Sequence, residues 1–153
     1  MTNDIQYLSQ EKYDELKKEL NFLKKIKKIE IANRIDEARQ MGDLSENAEY
    51  HAAREEMGWT VARIREITSI LDHSEIITKN SSSFASIGST IFVGVNGKEK
   101  QYTITGPQEE DPINGKISNE SPLGLAFLGK KKGDVVEISV PSGLQEYKIL
   151  NIQ

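Results

Sequence analysis

Two stretches of apolar residues, spaced alternately by three and four positions, lie on either side of a break only a few residues long. The first runs Tyr13, Leu16, Leu20, Leu23 and, after a change of phase across residues 24–28, Ile31, Ile35 and Ala38. The second runs Tyr50, Ala53, Met57, Thr60, Ile64, Ile67 and Leu71. Such spacing lines side chains along one stripe of an α-helix, the seam of a coiled coil. No proline interrupts the chain before Pro107, and Gly42 and Gly58 are the only glycines ahead of residue 76. Ser9 is placed to cap the first helix. With so short a connection at residues 42–45, the two helices must fold back antiparallel. Arms of about 30 residues at roughly 1.5 Å per residue make a rod about 45–50 Å long. A hairpin of that length cannot bury its own outer faces, so most of it stands in solvent or enters another molecule.

From residue 76 onward the texture changes. All four prolines and nine of the 11 glycines fall here, among β-branched runs that read as strands and turns. Asn96-Gly97 between Thr90–Val95 and Lys98–Thr105 signals a hairpin, because both central positions of a tight primed turn need positive φ. A second hairpin is predicted from Val135–Val140 and residues 144–149, split by Pro141-Ser142-Gly143. Ser121-Pro122 opens a short apolar stretch, residues 123–128, that reads as a brief helix stopped at Gly129. Phe92, Tyr102, Phe127 and Tyr147 are expected in the core. The predicted fold class is α+β: an antiparallel α-helical coiled-coil hairpin over 1–76 and a small, mostly antiparallel β domain with one short helix over 85–153. A linker over 77–84 is marked by the small polar run Asn80-Ser81-Ser82-Ser83.

Composition narrows function by exclusion. The chain has no cysteine, which removes disulfides, thiolate metal sites and thiol redox chemistry. No apolar run approaches the roughly 20 residues of a membrane span, and the N-terminus lacks a signal pattern, so a cytoplasmic protein without a membrane partner is expected. A net charge of −4 argues against a general nucleic-acid coat. The local exception is Lys24, Lys25, Lys27 and Lys28, a charge run that reads first as a solvated helix face. His51 and His73 have no second ligand-type residue at metal spacing and read as surface or capping residues.

The connection between the helices is Met41-Gly42-Asp43-Leu44-Ser45-Glu46-Asn47. Gly42 suits a left-handed end to the first helix, Asp43 the N-cap of the second, and Glu46 the reciprocal partner of a capping box. Two features strain that reading. Leu44 is apolar at the point furthest from any core, and Asp43 and Glu46 lie close together with no Lys or Arg near them in the chain. Two carboxylates at the end of a rod also suit a divalent cation or a water, provided another molecule supplies the remaining ligands. Both readings stand at this point.

The run that begins at Gly42-Asp43-Leu44-Ser45-Glu46-Asn47-Ala48-Glu49-Tyr50 and continues through His51 to Glu56 resembles the tip motif of the bacterial transcript cleavage factors, the Gre family. A second block, Ser121-Pro122-Leu123-Gly124-Leu125-Ala126-Phe127-Leu128-Gly129-Lys130 followed by Gly133-Asp134-Val135-Val136, resembles that family's C-terminal domain. The resemblance implies an FKBP-like C-terminal domain that docks on bacterial RNA polymerase at the rim of its secondary channel, here around Ser121, Pro122, Leu123 and Gly124. It implies a coiled coil that reaches down the channel to the active site. There Asp43 and Glu46 would act as catalytic groups supplied in trans, helping to hold a second Mg²⁺ shared with the polymerase and positioning the attacking water. Leu44, Ser45 and Asn47 are the implied tip contacts. Tyr50 has a possible place beside them, its position in the seam being the better account of it. Lys24, Lys25, Lys27 and Lys28, with Arg63 and Arg65, are the implied contacts to the nascent RNA 3′ segment. The free chain is expected to be a monomer that binds no cofactor by itself.

Two rival functions fit less well. A free-standing metal nuclease needs three or more protein ligands with supporting groups, and the tip offers two carboxylates. A regulator that merely occludes the channel would resemble family members with an altered tip, whereas the acidic pair here is intact; Ser45 stands where relatives often carry Lys. Residues 1–75 hold twelve Lys/Arg against sixteen Asp/Glu, which favours the GreA-like branch of the family over its more basic GreB-like branch.

Overall fold

In the computed structural model, residues 5–78 and 83–153 are described, and the chain divides into two compact units. One is Tyr13–His73; the other joins the residues up to Lys12 with Ser74–Gln153. Of the predicted linker, residues 79–82 lie outside the described residues.

The chain opens with β1 (Gln6–Leu8), followed by α1 (Gln10–Phe22), a π-helical turn at Leu23–Lys27, α2 (Lys28–Gln40), α3 (Ala48–Asp72) and β2 (Ser74–Ile76). The change of phase read across residues 24–28 is this π-helical turn. Its wider winding takes up an extra residue, so the stripe that leaves at Leu23 resumes on the same face at Ile31. Leu16, Ile31 and Ala38 are buried on the first arm, and Tyr50, Ala53, Thr60, Ile67 and Ile70 on the second; all but Ile70 are predicted seam positions. Thr60 is tolerated there because its hydroxyl donates to the Glu56 carbonyl at 2.9 Å. Ion pairs tie the arms along one side: Arg63 Nε and Nη2 meet the two oxygens of Glu19 at 2.8 and 3.0 Å, and Lys27 and Arg34 both reach Glu56 at 2.5 Å. The 25 residues of α3 make about 37 Å of helix, shorter than the rod read from sequence because α3 starts only at Ala48.

In the second unit, β1 and β2 pair in parallel, Tyr7 opposite Glu75. Ser9 caps α1 as predicted, its Oγ accepting from the Lys12 N–H at 3.1 Å. In turn the Ser9 N–H and Oγ–H donate to the Glu109 carboxylate at 2.7 and 2.6 Å. The main sheet contains β3 (Thr90–Val95), β4 (Lys98–Thr105), β5 (Lys116–Ser118), β6 (Val135–Val140) and β7 (Gly143–Ile152), in the order β5-β4-β3-β7-β6. Both predicted hairpins form. Asn96 and Gly97 take φ of 50° and 74°, as a two-residue primed turn requires. Only β4–β5 is parallel within this sheet. The short helix α4 (Pro122–Phe127) packs with the core of Ala85, Ile91, Val93, Val95, Ile104, Ile117, Phe127, Val136, Ile138, Tyr147 and Ile149. Rings of Tyr102, Phe127 and Tyr147 meet at 5.8–6.4 Å between centroids. Phe92 departs from expectation: strand alternation turns Ile91 and Val93 inward, leaving it half-buried on the opposite face.

Candidate functional site

The hairpin tip is built by two helix ends and a loop that satisfies its own polar groups. Met41, the C-cap of α2, donates its N–H to the Ala38 carbonyl at 3.2 Å, and Gly42 follows at φ 137°, a conformation glycine adopts without strain. Asp43 does not cap α3. Its Oδ1 accepts both the N–H and the Oγ–H of Ser45, each at 3.0 Å, in a local Asx-type turn. The N-cap is Asn47, with extended backbone and Oδ1 accepting the Tyr50 N–H at 3.1 Å. The predicted Asp43–Glu46 capping box is therefore corrected: asparagine caps a helix as well as aspartate does, and α3 begins four residues later than that box requires.

This correction separates the two readings left open for the acidic pair. Glu46 is exposed and its carboxylate makes no hydrogen bond among the described residues, while Asp43 is exposed and keeps Oδ2 unbonded. Neither acid is consumed by the helix start. Mg²⁺ takes six oxygens in near-octahedral geometry, and the tip presents two carboxylates toward such a set. Among the described residues, no group of three or more His, Cys, Asp or Glu is arranged to hold a metal. Leu44 is 40% exposed and makes the tip partly apolar.

Bonds from the Ser45 backbone, and next from its hydroxyl, hold the Asp43 carboxyl below its ordinary pKa. A depressed folded-state pKa means that the turn is fully supported above the ordinary carboxylate value and loses that support as pH falls through the depressed one. Ser45→Ala removes the hydroxyl bond and leaves the backbone bond. The Asp43 midpoint, followed by NMR of its side-chain carboxyl, is expected to move up part of the way toward the unperturbed value; an unmoved midpoint would assign the depression to the backbone alone.

One turn behind the acids, Tyr50 lies buried in the seam with guanidinium groups of Arg39 and Arg54 at 5.9 and 5.8 Å from its ring centroid. Arg54 Nη1 donates to the Tyr50 hydroxyl at 3.3 Å, and Arg54 first, Arg39 second, lower the phenol pKa. Sequence reasoning did not single out these arginines. The signal was the spacing of Tyr50 and Arg54 by one helical turn.

Two family models match the chain: "Transcription elongation factor, N-terminal" over residues 6–76 and "Transcription elongation factor, GreA/GreB, C-term" over 80–153. Transcription elongation factor GreA of Thermosipho melanesiensis is 43% identical over 155 residues, covering 100% of this chain and 99% of its own. That of Thermotoga maritima is 44% identical over 148 residues, 95% of each chain. The chain belongs to the GreA/GreB family of transcription elongation factors. Among solved structures it is similar to GreA factor homolog 1 (Gfh1) of Thermus thermophilus, at 25% identity over 97% of this chain and 99% of that one, with a TM-score of 0.45.

The other sites implied for a Gre-family chain are less uniform than the tip. Lys24, Lys25 and Lys28 are exposed and have no ion-pair partner among the described residues, whereas Lys27 is drawn to Glu56. Arg63 is occupied by Glu19 and Glu66, which raise its already high pKa further, so it is committed to carboxylates. Arg65 instead lines, with Arg54, Ile35, Met57, Gly58 and Val61, a shallow groove of about 390 Å³ on the hairpin. In the second unit, Ser121 caps α4: its Oγ accepts from the Gly124 N–H at 3.0 Å and donates to the Ser118 carbonyl at 2.7 Å. Gly124 is buried, while Pro122 is exposed and Leu123 half-buried at the surface. Ser121 and Gly124 thus build the local fold, and the surface there is presented by Pro122, Leu123 and Leu125, the last 60% exposed and not anticipated from sequence.

Proposed function

We propose that this Gre-family factor acts on bacterial RNA polymerase by placing its hairpin tip, through the secondary channel, at the active site, where it stimulates the polymerase to hydrolyse its own backtracked RNA. The observation that carries the proposal is the state of the tip: two exposed carboxylates with oxygens left over after the local fold is satisfied. Phosphodiester hydrolysis by two metals requires anionic oxygens around both ions. The Mg²⁺ shared with the polymerase, when bound, would lower the pKa of its water and neutralise charge on the reacting phosphate. Asp43 would turn Oδ2 toward that ion while Ser45 holds Oδ1, and Glu46, with both oxygens unbonded, would accept a hydrogen bond from the attacking water or add a further ligand. Such a factor is a supplement to the polymerase and not an enzyme alone. Lys24, Lys25 and Lys28 would contact RNA phosphates, and Pro122 with its neighbours would meet the channel rim.

A stalled, backtracked elongation complex in Mg²⁺ tests this reading. Adding the chain is expected to shorten the RNA from its 3′ side and to restore extension from the new end, while the chain without polymerase leaves the same RNA intact. Binding that protects the complex without shortening the RNA would overturn the proposal and make the chain a channel-occluding regulator.

A further inference from the structure

We propose that Asn47 is a positioning residue that closes both ends of the tip loop and thereby fixes where Asp43 and Glu46 are held; the inference rests on the function proposed above. Its Oδ1 accepts the Tyr50 N–H at 3.1 Å, and its Nδ2 donates to the Ala38 carbonyl at 2.5 Å. The first bond satisfies an orphan donor at the start of α3, and the second brings a further donor to a carbonyl in the last turn of α2. Ala38 O also receives the Met41 N–H, so the same carbonyl anchors the chain entering the loop and the side chain leaving it. Arg39 against Tyr50 is a further link between the arms here, but it joins side chains and touches no backbone group of the loop. Asn47 is half-buried while residues 41–46 are all exposed, so it is the base on which that segment stands.

The bracket needs a donor and an acceptor on one short side chain, which the carboxamide supplies. Asn47→Asp keeps the acceptor for Tyr50 but turns an anionic oxygen toward the Ala38 carbonyl. Asn47→Ser keeps a capping hydroxyl that is too short to reach across. Both variants therefore preserve the helix start and remove the cross-arm bond, and the serine variant adds no charge to the tip. Catalytic groups must be held to within about 0.5 Å by their supporting residues, so a loop released at its base should fail in chemistry before it fails in binding.

The test compares wild type, Asn47→Asp and Asn47→Ser on backtracked complexes, measuring the maximal cleavage rate, the half-saturating Mg²⁺ concentration, polymerase affinity by competition and the melting temperature. Backbone ¹⁵N relaxation of residues 42–46 is measured on the free chains. We expect a loss of about ten-fold in maximal rate and a raised Mg²⁺ requirement for both variants. Affinity and melting temperature should stay near wild type, and residues 42–46 should become more mobile on the nanosecond scale. Wild-type rate or unchanged loop relaxation in the two variants would overturn the proposal, as would a rate loss that merely follows weaker binding. Should wild type itself fail to stimulate cleavage, the functional reading falls, and relaxation still decides whether Asn47 orders the loop.

Discussion

Asp43→Asn and Glu46→Gln are each expected to lower the stimulated cleavage rate of the proposed function by about a hundred-fold at saturating factor, with polymerase affinity within about two-fold of wild type. The substitutions are chosen to keep shape and remove charge. The carboxamide oxygen introduced by Asp43→Asn would still accept the Ser45 N–H and hydroxyl, so the Asx-type turn survives; Glu46 makes no bond among the described residues that Gln would break. Melting temperatures should therefore not move, which separates loss of chemistry from loss of fold. The two positions also differ in what rescues them. If Asp43 supplies an oxygen to a weakly held ion, raising Mg²⁺ recovers part of the Asp43→Asn defect by mass action. A residue that orients water is not replaced by more metal, so the Glu46→Gln defect should persist. The double variant is expected to be scarcely worse than either single one, because groups that act as a unit are not additive. Near-wild-type rates from both single variants would reduce the acidic pair to solvation of an exposed loop.

The long elements are legible in the sequence because their side chains repeat. Seam spacing locates both arms, and the break in its phase marks the π-helical turn at Leu23–Lys27. Asn96-Gly97 locates the first hairpin through the φ its turn demands. What is not legible depends on partners distant in the chain. Strands β1 and β5, three residues each, carry no period of their own and exist because Ser74–Ile76 and Lys98–Thr105 lie beside them. At the tip, Asp43 and Glu46 have the spacing of a capping box, and Asn47 is an equally good cap; the choice is made by Ser45, which satisfies Asp43 locally, and by the Ala38 carbonyl, to which Asn47 donates. Composition marks four lysines as one cluster, but the pull of Glu56 on Lys27 is a tertiary fact.

Glycine-to-alanine substitutions should divide by geometry, and Gly106→Ala should be the most damaging. Gly106 has an ordinary φ of −75°, so backbone propensity gives no warning. A Cβ there would fall inside the van der Waals envelope of the Tyr7 carbonyl oxygen and 2.8 Å from its carbon, backbone atoms that cannot swing aside. The same holds at Gly124, where a Cβ would overlap the Ser118 carbonyl oxygen and lie 2.9 Å from its carbon. Forcing strand β1 or the turn before α4 to retreat would cost about 3 kcal/mol, enough to lower the melting temperature of a unit this size by more than about ten degrees. Gly42→Ala meets no atom within 4 Å but must adopt φ 137°, so it should cost about 1–2 kcal/mol through strain alone. Gly58→Ala has neither problem: it lies inside α3 with open space around it and should stabilise the hairpin by up to about 1 kcal/mol. Calorimetry on the four variants reads all of this at once. A Gly106→Ala protein that melts with wild type would mean that the Tyr7 backbone does not lie against Gly106, and with it the packing of β1 in the second unit would fall. A destabilised Gly58→Ala would mean that the groove beside Val61 is closed in solution.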